Sequence, residues 1–234
     1  MLEKTLSRKT GIFMFDTETT GLDPRKNSIC SFAGVGMMGS PLLRNNFMTT
    51  LLCDPEQPIP EEAAKVNGFF RDANEAYPSD KNLYGLPAFR ENTKLIRNVM
   101  SGYIPASHNA VFDMGFLLCH LDMNVMDIIR SFPFVICTKQ SFARIQGKPV
   151  SFDYVPGTSL DKLCDHLGVD RSARDTGHEA GIDAYLAAEC LIKMYNQNHQ
   201  DVVVLSVIDI ALYYGLITDE EAKTLHDEVS VFFN

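Results

Sequence analysis

Closely spaced cysteines are absent from this sequence. Its six cysteines are scattered through 234 residues, and no two of them form a C-x-x-C pair. That pattern argues against a thiolate zinc site and against a disulfide framework, and it favours reduced thiols. Because reduced thiols are typical of the cytosol, we expect a cytoplasmic protein.

Apolar runs of membrane-spanning length are also missing. The longest apolar stretch, 202–217, is interrupted by Ser206 and Asp209 and is short for a transmembrane span, so it predicts a buried helix. The first ten residues are mixed polar and charged, unlike a signal peptide. We therefore expect no membrane segment.

Positive charge is scarce. The chain has 21 Lys and Arg against 30 Asp and Glu, a formal net charge of −9. Proteins that grip duplex nucleic acid along its length usually present a basic face, so the acidity counts against that class. An enzyme that holds only the last few nucleotides of a strand needs fewer phosphate contacts, and bound metal ions would neutralise clustered carboxylates. A partner protein could also supply the grip.

The elements that are present predict one α/β domain. Apolar runs of strand length come first and are separated by turn signals, which predicts antiparallel hairpins; later strands alternate with helices. This order predicts a mixed central sheet, with antiparallel hairpins followed by parallel strands, flanked by helices. The predicted strands are 11–15, 28–38, 46–53, 103–107 and 134–137, and the predicted helices are 60–66, 92–101, 112–122, one from 160, and 180–195.

The carboxy-terminal part is expected to extend this domain. We assign residues 1–198 to the main domain and 199–234 to one or two helices that pack on it. Those helices either cap the core or support self-association, and the sequence leaves both open. Two loops, 71–89 and 147–158, have no predicted role.

Asp16 and Glu18 follow the first strand, in Phe-Asp-Thr-Glu-Thr-Thr-Gly. Residues two apart in a strand point to one face, so these carboxylates project together while Thr17 points away. Adjacent carboxylates repel, and one holds a proton unless a cation lies between them. Oxygen ligands suit Mg²⁺ or Mn²⁺. Alone, the motif is a weak signal, and a solvated acidic edge is its commoner explanation.

Asp113 and the pair His178/Asp183 lie in two further segments. Asp113 ends His-Asn-Ala-Val-Phe-Asp, where a strand gives way to a helix; an acid there can simply be stabilised by the helix dipole, by about 0.3–1 kcal/mol. His178 and Asp183 are about 500° apart around an α-helix, so we expect His178 on a loop or first turn and Asp183 on the helix. Convergence at one edge of the sheet would bring all five residues together.

Taken together, these three segments resemble the exonuclease motifs of the DEDDh (DnaQ-like) family, which has a ribonuclease H-like fold. The resemblance spans roughly residues 10–195 and is greatest to the proofreading exonucleases of bacterial DNA polymerase III. It implies a metal-dependent 3′→5′ exonuclease that releases nucleoside 5′-monophosphates, with single-stranded DNA favoured and RNA possible. It also implies a possible role in proofreading or repair as a DNA polymerase subunit.

The resemblance implies a role for each matching residue. Asp16, Glu18, Asp113 and Asp183 would hold two divalent cations, Mg²⁺ or Mn²⁺, and His178 would be the general base. The residues implied to bind the terminal nucleotide are Thr17, Thr19, Asn67, Phe69, His108, Asn109 and Phe112. Phe69 is also plausible as a plain core residue.

The sequence departs from the family pattern at three places. Many relatives carry histidine at the position of Asn67, an acidic strand at Ile29–Phe32, and Asp-Thr where Cys137–Thr138 stands. These departures bear on the substrate rather than on the reaction. Two alternatives stay open: an RNA or oligoribonucleotide 3′ exonuclease, and a catalytically idle interaction module of the same fold, which the presence of all five site residues disfavours.

Overall fold

The computed structural model describes residues 11–39, 41–74, 81–174 and 178–230. Six strands of this part form one sheet in the order β3-β2-β1-β4-β5-β6. The strands are β1 Gly11–Thr19, β2 Ile29–Met38, β3 Leu43–Leu52, β4 Tyr103–Ser107, β5 Phe134–Cys137 and β6 Val204–Ser206.

Helices flank the sheet. The described α-helices are α1 Glu61–Asn67, α2 Thr93–Met100, α3 Ala110–His120, α4 Val125–Ser131, α5 Thr138–Ile145, α6 Leu160–Leu167, α7 Ala180–Asn198, α8 Val207–Tyr213 and α9 Asp219–Ser230. Short 3-10 turns occupy Phe89–Asn92, Ser172–Arg174 and His199–Asp201.

The strand directions confirm the predicted mixed sheet. β1 pairs antiparallel with β2, and β2 with β3, whereas β1–β4 and β4–β5 are parallel. β1 is buried on both sides because helices cover both faces of the sheet. Phe13 and Phe15 pack in one apolar layer, and Ile12 and Met14 pack in the other. The alternation of β1 residues between two cores makes it the central strand of the fold.

One prediction about this architecture is wrong. The apolar stretch 202–217 does not form a single buried helix, because it divides into β6 and α8. β6 pairs antiparallel with β5, so its backbone groups are satisfied by the sheet edge. Ser206 then begins α8, where its side chain accepts a hydrogen bond from the backbone N–H of Asp209 at 3.4 Å.

The carboxy-terminal elements share the core of the main domain. Val207 and Ile210 of α8 and Leu225 of α9 are buried in the same layer as Phe13 and Phe116. Within the described ranges, no helix combines the length and apolar character that crossing a bilayer requires.

Candidate active site

Asp16 and Glu18 lie near the carboxyl end of β1. The parallel pairing of β1 with β4 ends at Met14 and Ala106, whereas β1 itself continues to Thr19. β1 therefore extends beyond its parallel neighbour, and side chains from later elements can approach its last residues. Glu18 is only 8% exposed, so this is not a solvated acidic edge.

Asp113 is fixed beside β1 by three hydrogen bonds. Its Oδ1 accepts from the Thr17 backbone N–H at 3.1 Å and from the Thr17 hydroxyl at 2.7 Å, and its Oδ2 accepts from the Ser107 hydroxyl. At 2% exposure, Asp113 is a buried, oriented carboxylate, and its place in the first turn of α3 is also favourable for an acid. Through its backbone N–H and its hydroxyl, Thr17 ties β1 to α3.

His178 and Asp183 approach from the start of α7. His178 precedes the helix and Asp183 lies on its first turn, as the sequence predicts. The Nδ1 of His178 is 3.1 Å from the Oδ2 of Asp183. One ligand atom from each of Glu18, His178 and Asp183 lies within 4.8 Å of the other two, which is close enough to share a metal ion.

The electrostatics of this cluster call for a cation. Burial, followed by the neighbouring carboxylates, raises the pKa of Asp16 well above its usual value and that of Glu18 to about 8. Burial also raises the pKa of Asp113 to about 6, although its hydrogen bonds to Ser107 and Thr17 oppose this. Such carboxylates repel one another when ionised. An oxygen-rich, negatively charged donor set fits hard divalent cations such as Mg²⁺ and Mn²⁺.

Arg174 contacts the cluster as an internal cation. Its guanidinium is forked on Asp183, with Nε 2.6 Å from Oδ1 and Nη2 2.9 Å from Oδ2, and it also binds Asp161. The same Nη2 lies 2.7 Å from the Nδ1 of His178. The Nδ1 atom of His178 can accept a hydrogen bond from Arg174 or donate one to Asp183, but it cannot do both. Because Arg174 already binds both carboxylate oxygens of Asp183, a metal ion must compete with Arg174 for that carboxylate.

We expect Arg174→Gln to bind Mn²⁺ more tightly than the wild type. Removing one charge-assisted hydrogen-bonded partner of Asp183, worth about 1.5–3 kcal/mol, should raise affinity about 10- to 150-fold. The metal-free variant should also melt at a lower temperature, because Asp183 then lacks its partner. Calorimetric titration and thermal melts measure the two effects. Asp161→Asn, which removes only the second anchor of Arg174, should give a smaller rise in affinity; weaker Mn²⁺ binding by Arg174→Gln would contradict competition.

Several of the predicted substrate residues line the same cleft. The four carboxylates and His178 border a cavity of about 390 Å³, together with Thr17, His108, Asn109 and Phe112. A second cavity of about 580 Å³ is lined by Thr17, Thr19, Asn67 and Phe112, beside Val66 of α1. The two cavities share Thr17, Glu18 and Phe112, and therefore adjoin at the carboxylates.

Phe69 is the predicted residue that the structure does not bring to these cavities. It is 5% exposed and packs with Cys30 and Leu83 in a small core cluster, which favours the plain core interpretation. Asn67, two residues earlier, does line the second cavity, and its side chain donates to the carbonyl of Thr19 at 3.3 Å, which links α1 to the end of β1.

His108 lines the cleft as a bound wall residue. Its Nδ1 lies 3.0 Å from the Thr138 hydroxyl and its Nε2 lies 3.0 Å from the carbonyl of Thr158. Burial lowers its pKa to about 3, so the ring is neutral. With both nitrogens engaged, His108 holds the loop 147–158 against α5 and has no nitrogen left for a substrate.

Sequence reasoning missed Arg174, Ser107, Lys139 and Tyr154. Arg174 contacts acids that are 13 and 9 residues away in sequence, on two different helices. Lys139 and Tyr154 reach the cleft from the start of α5 and from a loop without predicted structure. These placements depend on tertiary contacts and carry no local sequence signal.

Comparison with known proteins gives a consistent picture. The family model described as exonuclease (RNase T type) matches residues 13–191. The chain is 30% identical over 188 residues to the DNA polymerase III subunit epsilon of Escherichia coli K12, covering 77% of this chain and 70% of the relative. It is 27% identical over 216 residues to the same subunit of Pasteurella multocida, covering 86% and 78%.

Solved structures share the fold at lower sequence identity. The nuclease domain of 3′hExo, a DEDDh family member bound to rAMP, superposes with a TM-score of 0.62 at 16% identity and covers 86% of this chain and 98% of that one. The E. coli ExoI–ssDNA complex gives a TM-score of 0.61 at 14% identity over 82% of this chain. This chain spans only 42% of the length of that second protein.

Proposed function

Because the chain belongs to the exonuclease family, and is a metal-dependent 3′→5′ phosphodiester hydrolase of its DEDDh type, we propose that it trims the 3′ ends of single-stranded DNA to nucleoside 5′-monophosphates. The observation that carries this proposal is the convergence of Asp16, Glu18, Asp113, Asp183 and His178 on one cleft. The preference for DNA is supported by the relatives of 27–30% identity, which are DNA polymerase subunits.

The four carboxylates would hold two divalent cations, Mg²⁺ or Mn²⁺. Such ions, when bound, stabilise both the attacking water and the leaving 3′ oxygen. Glu18 and Asp183 supply oxygen ligands from β1 and α7, which approach within 4.8 Å of one another through their ligand atoms. Asp113, held by Thr17 and Ser107, supplies a carboxylate whose orientation is already fixed before a substrate arrives.

His178 would accept the proton of the attacking water. Its side chain is 46% exposed, so the ring can reach solvent in the cleft. When Nδ1 donates its hydrogen to Asp183, the lone pair lies on Nε2, and that nitrogen is the base. Arg174 opposes this tautomer, because its N–H requires Nδ1 to be an acceptor.

The second cavity would receive the terminal nucleotide. Thr19, Asn67 and the exposed Val66 line it, and the ring of Phe112 borders both cavities. An aromatic edge and an aliphatic wall tolerate any base, as trimming of arbitrary sequence requires. The described residues that line this cavity include no lysine or arginine. We therefore also propose that a polymerase subunit or another partner supplies the remaining contacts to the DNA backbone.

RNA is the second candidate substrate. The observation that favours it is the match to 3′hExo, whose structure contains rAMP and is covered to 98% by this chain. Discrimination between the sugars depends on contacts to the 2′-hydroxyl.

A degradation assay with matched strands tests the proposal. Single-stranded DNA and RNA of one sequence, each labelled at the 5′ end, are incubated with the protein and Mg²⁺. We expect a ladder that shortens from the 3′ end, faster for DNA, and no products when EDTA removes the metal. A faster ladder on RNA would reverse the substrate assignment, and EDTA-resistant degradation would contradict the role of the carboxylates.

A further inference from the structure

The cleft is also lined by side chains that the chemistry above does not use. Lys139, Tyr154 and Lys162 border the same cavity as the carboxylates. Tyr154 is 79% exposed, and a single exposed aromatic is ordinary on a protein surface. This one differs because it lies at the cleft, beside basic side chains, in a chain with a net charge of −9.

Lys139 and Tyr154 are in contact with each other and with the cleft. The Nζ of Lys139 lies 5.8 Å from the centroid of the Tyr154 ring, within cation–π range. The same Nζ donates to the Oδ1 of Asn109 at 3.3 Å. An ammonium group and an aromatic ring are thus held together at the cleft wall. An ammonium group can bind a phosphate, and an aromatic ring can stack on a base.

The loop that carries Tyr154 is fixed at both ends. Ser151 donates its backbone N–H to the side chain of Gln140 at 3.1 Å, and the ring of Phe152 packs edge-on against Tyr213 at 5.6 Å. At the other end, the carbonyl of Thr158 contacts His108. Because the loop is anchored to α5 and α8, less ordering is needed when a ligand stacks on Tyr154.

The adjoining cavities indicate which nucleotide of a bound strand would lie beside Lys139 and Tyr154. A terminal nucleotide in the cavity of Thr19 and Asn67 puts the bond to be cut at the carboxylates, and the chain then continues into the cavity of Lys139 and Tyr154. Resting on the proposed function, we propose that Tyr154 and Lys139 form a subsite for the nucleotide on the 5′ side of that bond. Its base stacks on Tyr154 and its phosphate pairs with Lys139.

The subsite is tested by comparing a long substrate with a minimal one. A p-nitrophenyl ester of thymidine 5′-monophosphate occupies only the terminal site and the carboxylates, whereas an oligonucleotide also reaches Tyr154. We expect Tyr154→Ala to weaken binding of a single-stranded oligonucleotide with a 3′-terminal phosphorothioate, measured by anisotropy, about 5- to 150-fold, and to leave ester hydrolysis unchanged. Tyr154→Phe keeps the ring and should bind like the wild type.

Lys139→Gln separates the phosphate contact from the stacking. Losing one phosphate contact should reduce the slope of log affinity against log salt by about 0.7 for a single strand. If the wild type cleaves the ester but Tyr154→Ala binds the oligonucleotide as tightly as the wild type, the subsite is wrong and the reaction stands. If the wild type does not cleave the ester, and Tyr154→Ala binds the oligonucleotide more weakly than the wild type does, the subsite stands and the proposed reaction is wrong.

Discussion

Asp16→Asn is expected to lower turnover by about 10³-fold or more. A metal ion contributes several kcal/mol of transition-state stabilisation, and each 1.36 kcal/mol changes the rate about tenfold. The same substitution removes one of several repelling carboxylates, since burial and neighbouring acids raise the pKa of Asp16. The metal-free variant should therefore melt at a higher temperature than the metal-free wild type, while gaining less stability from added Mn²⁺.

A charge-matched control separates this effect from a general loss of negative charge. Asp165 is an exposed acid on α6 that pairs with Arg171 outside the cleft, so Asp165→Asn should retain wild-type turnover and metal-induced stabilisation. Two bound Mn²⁺ ions in Asp16→Asn, counted by calorimetry, would contradict the role of Asp16 as a metal ligand.

His178→Ala is expected to cut turnover by about 10²–10⁴, the usual scale for loss of a general base. Folding should be intact, because the His178 side chain is 46% exposed and lies before α7 rather than in the core. Metal affinity should change little if His178 acts as a base. Turnover at high pH should recover in part, because hydroxide then replaces the water that needs deprotonation.

The geometry also allows a second role for His178, as a metal ligand instead of a base. Its ring lies close enough to Glu18 and Asp183 to ligate a metal itself, and loss of Mn²⁺ binding in His178→Ala would show that it does. His226, half-exposed on α9, is the matched control: His226→Ala should leave both turnover and Mn²⁺ affinity unchanged.

Strands bounded by turn signals were the most predictable part of the fold. β4 and β5 have the predicted bounds, because each is a short apolar run whose burial on both faces leaves no alternative. α4 and α5 were not predicted. α5 begins directly after β5 without a side-chain cap, and α4 is a single short helix whose cap, Asn124, is its main local signal.

β6 shows why some structure has no local signal. Its three residues sit in an apolar run that suits a buried helix, and they become a strand only because the edge of β5 offers unpaired backbone groups. The strands predicted at 28–38 and 46–53 correspond to β2 and β3, since adjacent apolar runs separated by turns favour hairpins: β2 pairs with β1, and β3 pairs with β2.

The candidate site also contains some residues that could be predicted from the sequence and some that could not. The motif residues could be named from the sequence because the three segments that carry them resemble the DEDDh exonuclease motifs; periodicity adds only that Asp16 and Glu18 share one face of a strand. The side chains that hold or oppose them could not, since Arg174 reaches Asp183 from a turn and Ser107 reaches Asp113 across the β4–α3 junction. Phe69 was open to either interpretation because an aromatic after a short helix suits a core cluster as well as a nucleotide pocket.

The measurement that tests the central claim most directly follows one DNA strand with different labels at its two ends. In Mg²⁺, the wild type should release the 3′ label first, as a nucleoside 5′-monophosphate, and Asp16→Asn should release it about 10³-fold more slowly or not at all. First release of the 5′ label, internal cleavage, or equal activity of Asp16→Asn would contradict a 3′→5′ exonuclease built on these carboxylates.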